Sequence, residues 1–194
     1  MHTPNCICLS RRHLLAGFGL AGAGIMLPMR AFAGSADAIV LTCMDYRIVD
    51  DAVNYFNSRG LRNKYDHVIL AGAGVGALGK LGADWASTFW KHVETAIQLH
   101  HVEELIVVNH RDCGAVKIVF GPESIAVRAE ETKLHRNLLH QLSGQVARKF
   151  PTLRTQMLLM DIDGSVEDVS GSPDEDVGDA AKAAPAAPAA SSGH

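Results

Sequence analysis

Three short runs of aliphatic and β-branched residues limit what this chain can fold into. They are Ala38-Ile39-Val40-Leu41-Thr42, His67-Val68-Ile69-Leu70-Ala71 and Leu105-Ile106-Val107-Val108. The first and third show no alternation of polar and apolar positions, as expected of strands covered on both faces, which is the signature of a parallel sheet packed between helices. The segments between them have helical spacing instead. Val49, Ala52, Val53 and Phe56 lie on one face of a helix over residues 50–59 that stops at Gly60. Trp85, Phe89, Val93 and Ile97 recur every four residues as the core stripe of a longer helix. A third helix is predicted over 124–150 with Leu134, Leu138, Leu142 and Val146 on one face. Met157-Leu158-Leu159-Met160 reads as a fourth strand, and Asp163-Gly164 as a hairpin turn into a return strand over 165–169. The expectation is an α/β domain: a mainly parallel sheet of four strands, a C-terminal antiparallel strand, and flanking helices.

The ends of the chain differ in character from this middle. Ser10-Arg11-Arg12-His13-Leu14-Leu15 precedes a weakly apolar, glycine-rich run to Pro28, and Ala31-Phe32-Ala33 is the small-residue pattern of a cleavage site. Residues 1–33 therefore read as a twin-arginine-type signal peptide, which predicts a periplasmic or secreted protein with a mature start near Gly34. The apolar run is too short and glycine-rich to predict a stable membrane anchor. From residue 170 to 194 alanine, proline, serine, glycine and acids dominate, which predicts a disordered tail. The folded domain is thus expected over 34–169. The whole chain has 18 Lys and Arg against 21 Asp and Glu, a formal −3. Removing Arg11, Arg12 and Arg30 with the leader leaves 15 against 21, or −6. With no basic block in the folded part, nucleic acid is excluded as an expected partner.

The leader also removes Cys6 and Cys8, leaving Cys43 and Cys113. In an oxidising compartment a lone pair of cysteines ordinarily reads as a disulfide. Their neighbours point elsewhere. Cys43-Met44-Asp45-Tyr46-Arg47 leaves the carboxyl end of the first strand, and extended alternation puts Cys43, Asp45 and Arg47 on one face. His110-Arg111-Asp112-Cys113-Gly114 follows the third strand, where a helical turn would set His110 and Cys113 on one side. Parallel sheets bind ligands beyond the carboxyl ends of their strands, so both segments are expected at one site. Two thiolates and an imidazole make a three-ligand set for zinc with the fourth position open, the arrangement of a catalytic rather than a structural site. Such a metal makes a hydroxide nucleophile available near neutral pH, somewhat higher when two thiolates offset its charge. A carboxylate beside a guanidinium stays ionised, so Asp45 held by Arg47 could orient that oxygen, or could swing in and fill the fourth position.

Cys-x-Asp-x-Arg after the first strand and His-x-x-Cys-Gly after a later one resemble the β-class carbonic anhydrases, over roughly Ala38 to Val169. The resemblance implies zinc on Cys43, His110 and Cys113, a catalytic Asp45–Arg47 dyad, and reversible hydration of carbon dioxide to bicarbonate by a lyase. It also implies a homodimer or higher homo-oligomer with the site near the subunit boundary. Relatives that hydrolyse carbonyl sulfide or carbon disulfide share this ligation, and a non-catalytic zinc or redox module built on the two cysteines is the competing class. The chain departs from the family's Arg-Asn-Ala-Gly-Asn with Leu70-Ala71-Gly72-Ala73-Gly74, has Tyr46 where a small residue is usual, and shows no evident equivalent of a substrate-contacting glutamine.

Gly74-Val75-Gly76-Ala77-Leu78-Gly79 matches a dinucleotide-binding pattern, but Glu94 falls inside a helix rather than at the strand end where a ribose partner belongs, so close backbone packing is the expected role. His92, His100, His101, His135 and His140 are read as surface or satisfied residues, one of them a potential proton relay. Trp85, Phe89 and Trp90 are read as core or subunit contact, and Arg111 and Asp112 as local structure, with Asp112 a possible outer acceptor for the histidine ligand.

Overall fold

The computed structural model describes residues 34–171. The predicted signal peptide and almost all of the predicted tail therefore lie outside the described residues. Strands β1 (Ala38–Cys43), β2 (Tyr65–Leu70), β3 (Glu104–His110), β4 (Arg154–Met160) and β5 (Val166–Asp168) form one sheet in the order β2-β1-β3-β4-β5. The first four are parallel and β5 runs antiparallel to β4. All six residues of β1 and the last six of β3 are buried, as the apolar runs Ala38–Leu41 and Leu105–Val108 require of central strands, and the burial extends to the polar Thr42, Asn109 and His110. Edge strand β2 has only Val68 buried, and its His67 and Ile69 face out.

The connections are α1 (Val49–Ser58), α2 (Gly74–Ala77), α3 (Ala83–His100), α4 (Gly114–Phe120) and α5 (Arg128–Lys149). In α3, Phe89 and Val93 are fully buried and Ile97 partly so, while Trp85, expected on the core stripe, is exposed; Trp90 packs on Phe89 at 4.8 Å and on Phe150 at 6.2 Å between ring centroids. The long helix expected over 124–150 is divided. A 3-10 turn spans Pro122–Ile125, Val127 is extended, and α5 starts only at Arg128. Pro122 opens the 3-10 turn, where its missing N–H is no loss, and the extended Val127 separates that turn from α5.

The buried stripe of α5 also differs from the expected one. Glu131, His135, Leu138, Leu142 and Val146 face the core with Leu139, whereas Leu134 is half-buried. The helix packs on β4 and α2, so its polar first turns lie near the functional end of the sheet. At the other end of the fold Val169 is buried, its N–H donating to Met157 O at 2.8 Å, and Met157 N–H donates to Ser170 Oγ at 3.0 Å. The strand order reverses direction between β1 and β3, because β1 connects outward to β2 and the chain then crosses to β3 on the opposite side. That switch point is where an open parallel sheet leaves a crevice at its carboxyl edge.

Candidate metal centre

Cys43 ends β1 and His110 ends β3, so the switch point brings the two side chains together. Cys113 joins them through a turn rather than a helix. Asp112 takes a left-handed φ of 55°, Cys113 is extended, and α4 begins only at Gly114. The helical geometry expected for His110 and Cys113 is replaced by this two-residue reversal. The Cys43, His110 and Cys113 ligand atoms all lie within 4.8 Å of one another, and all three residues are buried. Both cysteines are free thiols.

The imidazole is oriented for coordination. His110 Nδ1 donates to Arg111 O at 2.8 Å, which leaves Nε2 as the lone-pair nitrogen. Nε2 is buried without a hydrogen-bond partner. A buried imidazole acceptor facing two thiols at this spacing fits tetrahedral zinc, whose sulfur and nitrogen ligands sit roughly 2–2.3 Å from the ion. The thiols ionise as a pair. A hydrogen bond from Cys113 pulls Cys43 well below the ordinary thiol range, with His110 helping against the opposing cost of burial. Cys113, beside the Cys43 thiolate and buried, is held above that range. One thiolate is therefore already favoured in the folded chain, and Gly72 N–H donates to it at 3.2 Å.

Asp45 and Arg47 converge, though not by strand alternation. The chain leaves β1 and turns at 46–48, with Arg47 N–H donating to Asp45 Oδ1 at 3.1 Å and Ile48 N–H to Asp45 O at 3.2 Å. Within this turn the guanidinium grips the carboxylate twice, Nε to Oδ1 at 2.9 Å and Nη2 to Oδ2 at 2.7 Å. That fork lowers the Asp45 pKa to about 2, so the group is anionic at any working pH. Its Oδ2 lies 3.8 Å from His110 Nε2, at the margin of the space the three ligands surround.

The structure assigns work to residues the sequence left as local structure. Arg111 is buried, donates from Nη2 to Glu167 at 2.9 Å, and lies 3.5 Å from Glu131 and 3.7 Å from Asp161. It thereby ties the ligand loop to α5 and to the β4–β5 hairpin. Asp112 is not the acceptor for the His110 ring, a role taken by the Arg111 carbonyl. It bonds instead to Arg47 Nη1 at 2.7 Å and to Lys117 Nζ at 2.5 Å.

His135 lies in the core near the metal centre. It is 1% exposed, and its Nδ1 lies 3.0 Å from Asn109 Nδ2. Gly74 N–H donates to Asn109 Oδ1 at 2.9 Å, so the amide orientation is determined and Asn109 must donate to His135. Burial, with the nearby His110 and Arg111 adding to it, lowers the His135 pKa to about 3. Of the surface or satisfied positions expected of the helical histidines, His135 takes the second, as a buried neutral ring linked through Asn109 to the glycine loop. The 131, 135, 138, 142 spacing could have shown it, had Glu and His been allowed on the buried stripe. The other helical histidines are exposed or partnered: His92 on Thr88 O at 2.8 Å and His100 on Asp66 at 2.8 Å.

The glycine run has the packing role expected of it. α2 is a buried four-residue turn, and a Cβ on Gly72 would come 2.7 Å from Ala115 Cβ. Between Gly72 and Gly74, Ala73 is held at φ 42° and ψ −103°, a strained conformation for a residue with a Cβ.

Comparison with known proteins agrees with this geometry. Residues 34–168 match the family model described as "Putative carbonic anhydrase". An uncharacterized protein of Rickettsia conorii is 30% identical over 138 residues, covering 71% of this chain and 74% of that protein. An uncharacterized protein of Rickettsia bellii is 28% identical over 134 residues, covering 69% and 82%. Among solved structures, a carbonic anhydrase from Streptococcus mutans aligns at 19% identity and TM-score 0.47, covering 71% of this chain and 84% of that one. The chain belongs to this carbonic anhydrase family, as a divergent member whose motifs are of the β-class kind.

Proposed function

We propose that this protein is an exported zinc lyase that hydrates carbon dioxide reversibly to bicarbonate, with Cys43, His110 and Cys113 as metal ligands. The observation that carries the reading is the ionised Asp45 carboxylate, clamped by Arg47, 3.8 Å from the metal-facing nitrogen of His110. Neither a structural zinc site nor a redox pair needs a fixed anion there. Zinc supplies Lewis acidity that brings the ionisation of a water molecule toward neutral pH. Asp45 accepts a hydrogen bond from the attacking water and aims its lone pair at the carbon of the substrate. Arg47 keeps Asp45 ionised and restrains it from turning onto the metal position. Cys43 and His110 end strands of the sheet and Cys113 follows in a hydrogen-bonded turn, so the geometry exists before substrate arrives.

The deciding experiment is stopped-flow hydration of carbon dioxide by zinc-loaded protein. The rate should rise with pH between about 7 and 9 and level off. Asp45→Asn should keep its zinc and lose turnover about tenfold to a thousandfold, about 1–4 kcal/mol of barrier. A zinc-replete wild type without hydration activity would reject carbon dioxide and send carbonyl sulfide and carbon disulfide to the same assay. Inactivity toward all three would leave a non-catalytic zinc or redox module.

Export and assembly belong to the same proposal. Arg11-Arg12 directs folded, metal-capped protein through the twin-arginine route, and replacing the pair with two lysines should strand precursor in the cytoplasm. A homodimer or higher homo-oligomer is the proposed assembly, in keeping with the tetrameric β-carbonic anhydrases of Sordaria macrospora. Light scattering on the purified protein measures it directly.

A further inference from the structure

Arg47 makes more contacts than a two-residue dyad requires. Besides the fork on Asp45, its Nη1 donates to Asp112 Oδ2 at 2.7 Å and its Nη2 to Asp112 O at 3.1 Å. The guanidinium is thus gripped on two sides, by Asp45 from the β1 loop and by Asp112 from the β3 loop. Asp112 is itself fixed from three directions. Lys117 Nζ donates to Oδ1 at 2.5 Å, the Asp112 N–H donates to the buried Glu131 carboxylate at 2.6 Å, and the backbone is locked at φ 55° between His110 and Cys113.

Without the second grip, a single carboxylate would leave Arg47 free to rotate about its long side chain, carrying Asp45 with it. Planar guanidinium recognition is strong because several parallel bonds restrict the same plane. Here the second anchor comes from the loop that also bears two of the three ligands, so the position of Asp45 is referenced to the metal and not to its own turn alone.

We propose that Asp112, backed by Lys117, is a positioning residue that locks Arg47 and so holds Asp45 at its catalytic station. The inference rests on the proposed role of Asp45, and its test therefore includes a readout that does not need turnover. In 15N-labelled, zinc-loaded protein, exchange of the Arg47 Nε–H with solvent should speed at least about tenfold in Asp112→Ala, because the lock that keeps the fork closed is gone. In the same variant kcat should fall about tenfold with KM within about twofold. Asp112→Asn keeps an acceptor for Nη1 and should lie between, and Lys117→Met should cost about two- to threefold in kcat. Arg47→Ala combined with Asp112→Ala should be no worse than Arg47→Ala alone, since Asp112 acts through the arginine.

Unchanged Arg47 exchange in Asp112→Ala would overturn the proposal, as would a double variant that loses the product of the two single losses. Loss of zinc from Asp112→Asn would also overturn it, by showing that Asp112 holds the ligand loop and not Arg47. If the alanine variant does not fold, the asparagine variant decides on the same measurements. If the wild type does not hydrate carbon dioxide, the exchange comparison still decides.

Discussion

Replacing His135 with asparagine turns a buried, neutral ring into a measurable pH dependence. His135 is 1% exposed and its pKa is lowered from the ordinary 6.5 to about 3, chiefly by burial. The sign follows from which state takes the proton. Below 6.5 the unfolded chain protonates this histidine while the folded chain resists until about 3, so stability is complete above 6.5 and drains away as pH falls through that window. With these two values, the loss between about pH 7 and about pH 5 comes to roughly 2 kcal/mol. Asparagine places an oxygen where Nδ1 stood, so it still accepts from Asn109 Nδ2 and keeps the link to Gly74, but it does not titrate. Urea denaturation of both proteins at the two pH values, in chelator, supplies four stabilities. The variant should be less stable at both because it leaves space unfilled, yet its own loss on acidification should be smaller than that of the wild type by about 2 kcal/mol. Contributions shared by the two proteins, the thiol pair included, cancel in that difference. Equal acid sensitivity in wild type and variant would refute the reasoning.

Three further outcomes follow from the site. Cys43→Ser and Cys113→Ser should each abolish zinc retention, read by elemental analysis; an active, metal-free protein carrying a Cys43–Cys113 disulfide would contradict the ligand assignment. Gly72→Ala puts a Cβ 2.7 Å from Ala115 Cβ at a φ of +69°, so it should cost roughly 1–3 kcal/mol in thermal or urea denaturation and weaken zinc in chelator competition by pulling the Gly72 N–H from Cys43; wild-type values in both assays would refute it. Arg111→Leu leaves Glu131, Asp161 and Glu167 crowded without their shared buried cation, and should lower the denaturant midpoint by an amount worth about 3 kcal/mol; a loss under about 1 kcal/mol would show that Arg128 and Arg136 suffice for these carboxylates.

The readings that succeeded from sequence share a physical cause. Central strands β1 and β3 are covered on both faces, so apart from Thr42, Asn109 and His110 toward their carboxyl ends their buried residues are apolar and the pattern is legible. Cys43 and His110 end those strands, and any parallel sheet with this element order brings such ends together. The glycine run was legible as packing because it lacked the acidic partner a nucleotide site needs. Readings failed where a polar residue met a tertiary partner. His135 and Glu131 occupy the buried stripe of α5 because Asn109, Asp112 and Arg111 receive them there; their spacing fits the stripe, but periodicity does not reveal the partners that allow polar groups on it. The reversal at Asp112 escaped for a related reason: local propensity does not announce a left-handed non-glycine residue held by distant hydrogen bonds.

What the sequence determined by itself is the layered α/β fold and the identity of the residues that can hold a metal, since both are set by residue type and order along the chain. What only the tertiary structure decided is how those residues act as one unit. Arg47 faces Asp112 across 65 positions of sequence, and Arg111 meets Glu167 across 56. Contacts of that separation exist only once the sheet has assembled and carried β3 alongside β1, because chain spacing alone specifies neither the distance nor the direction of the side chains that meet.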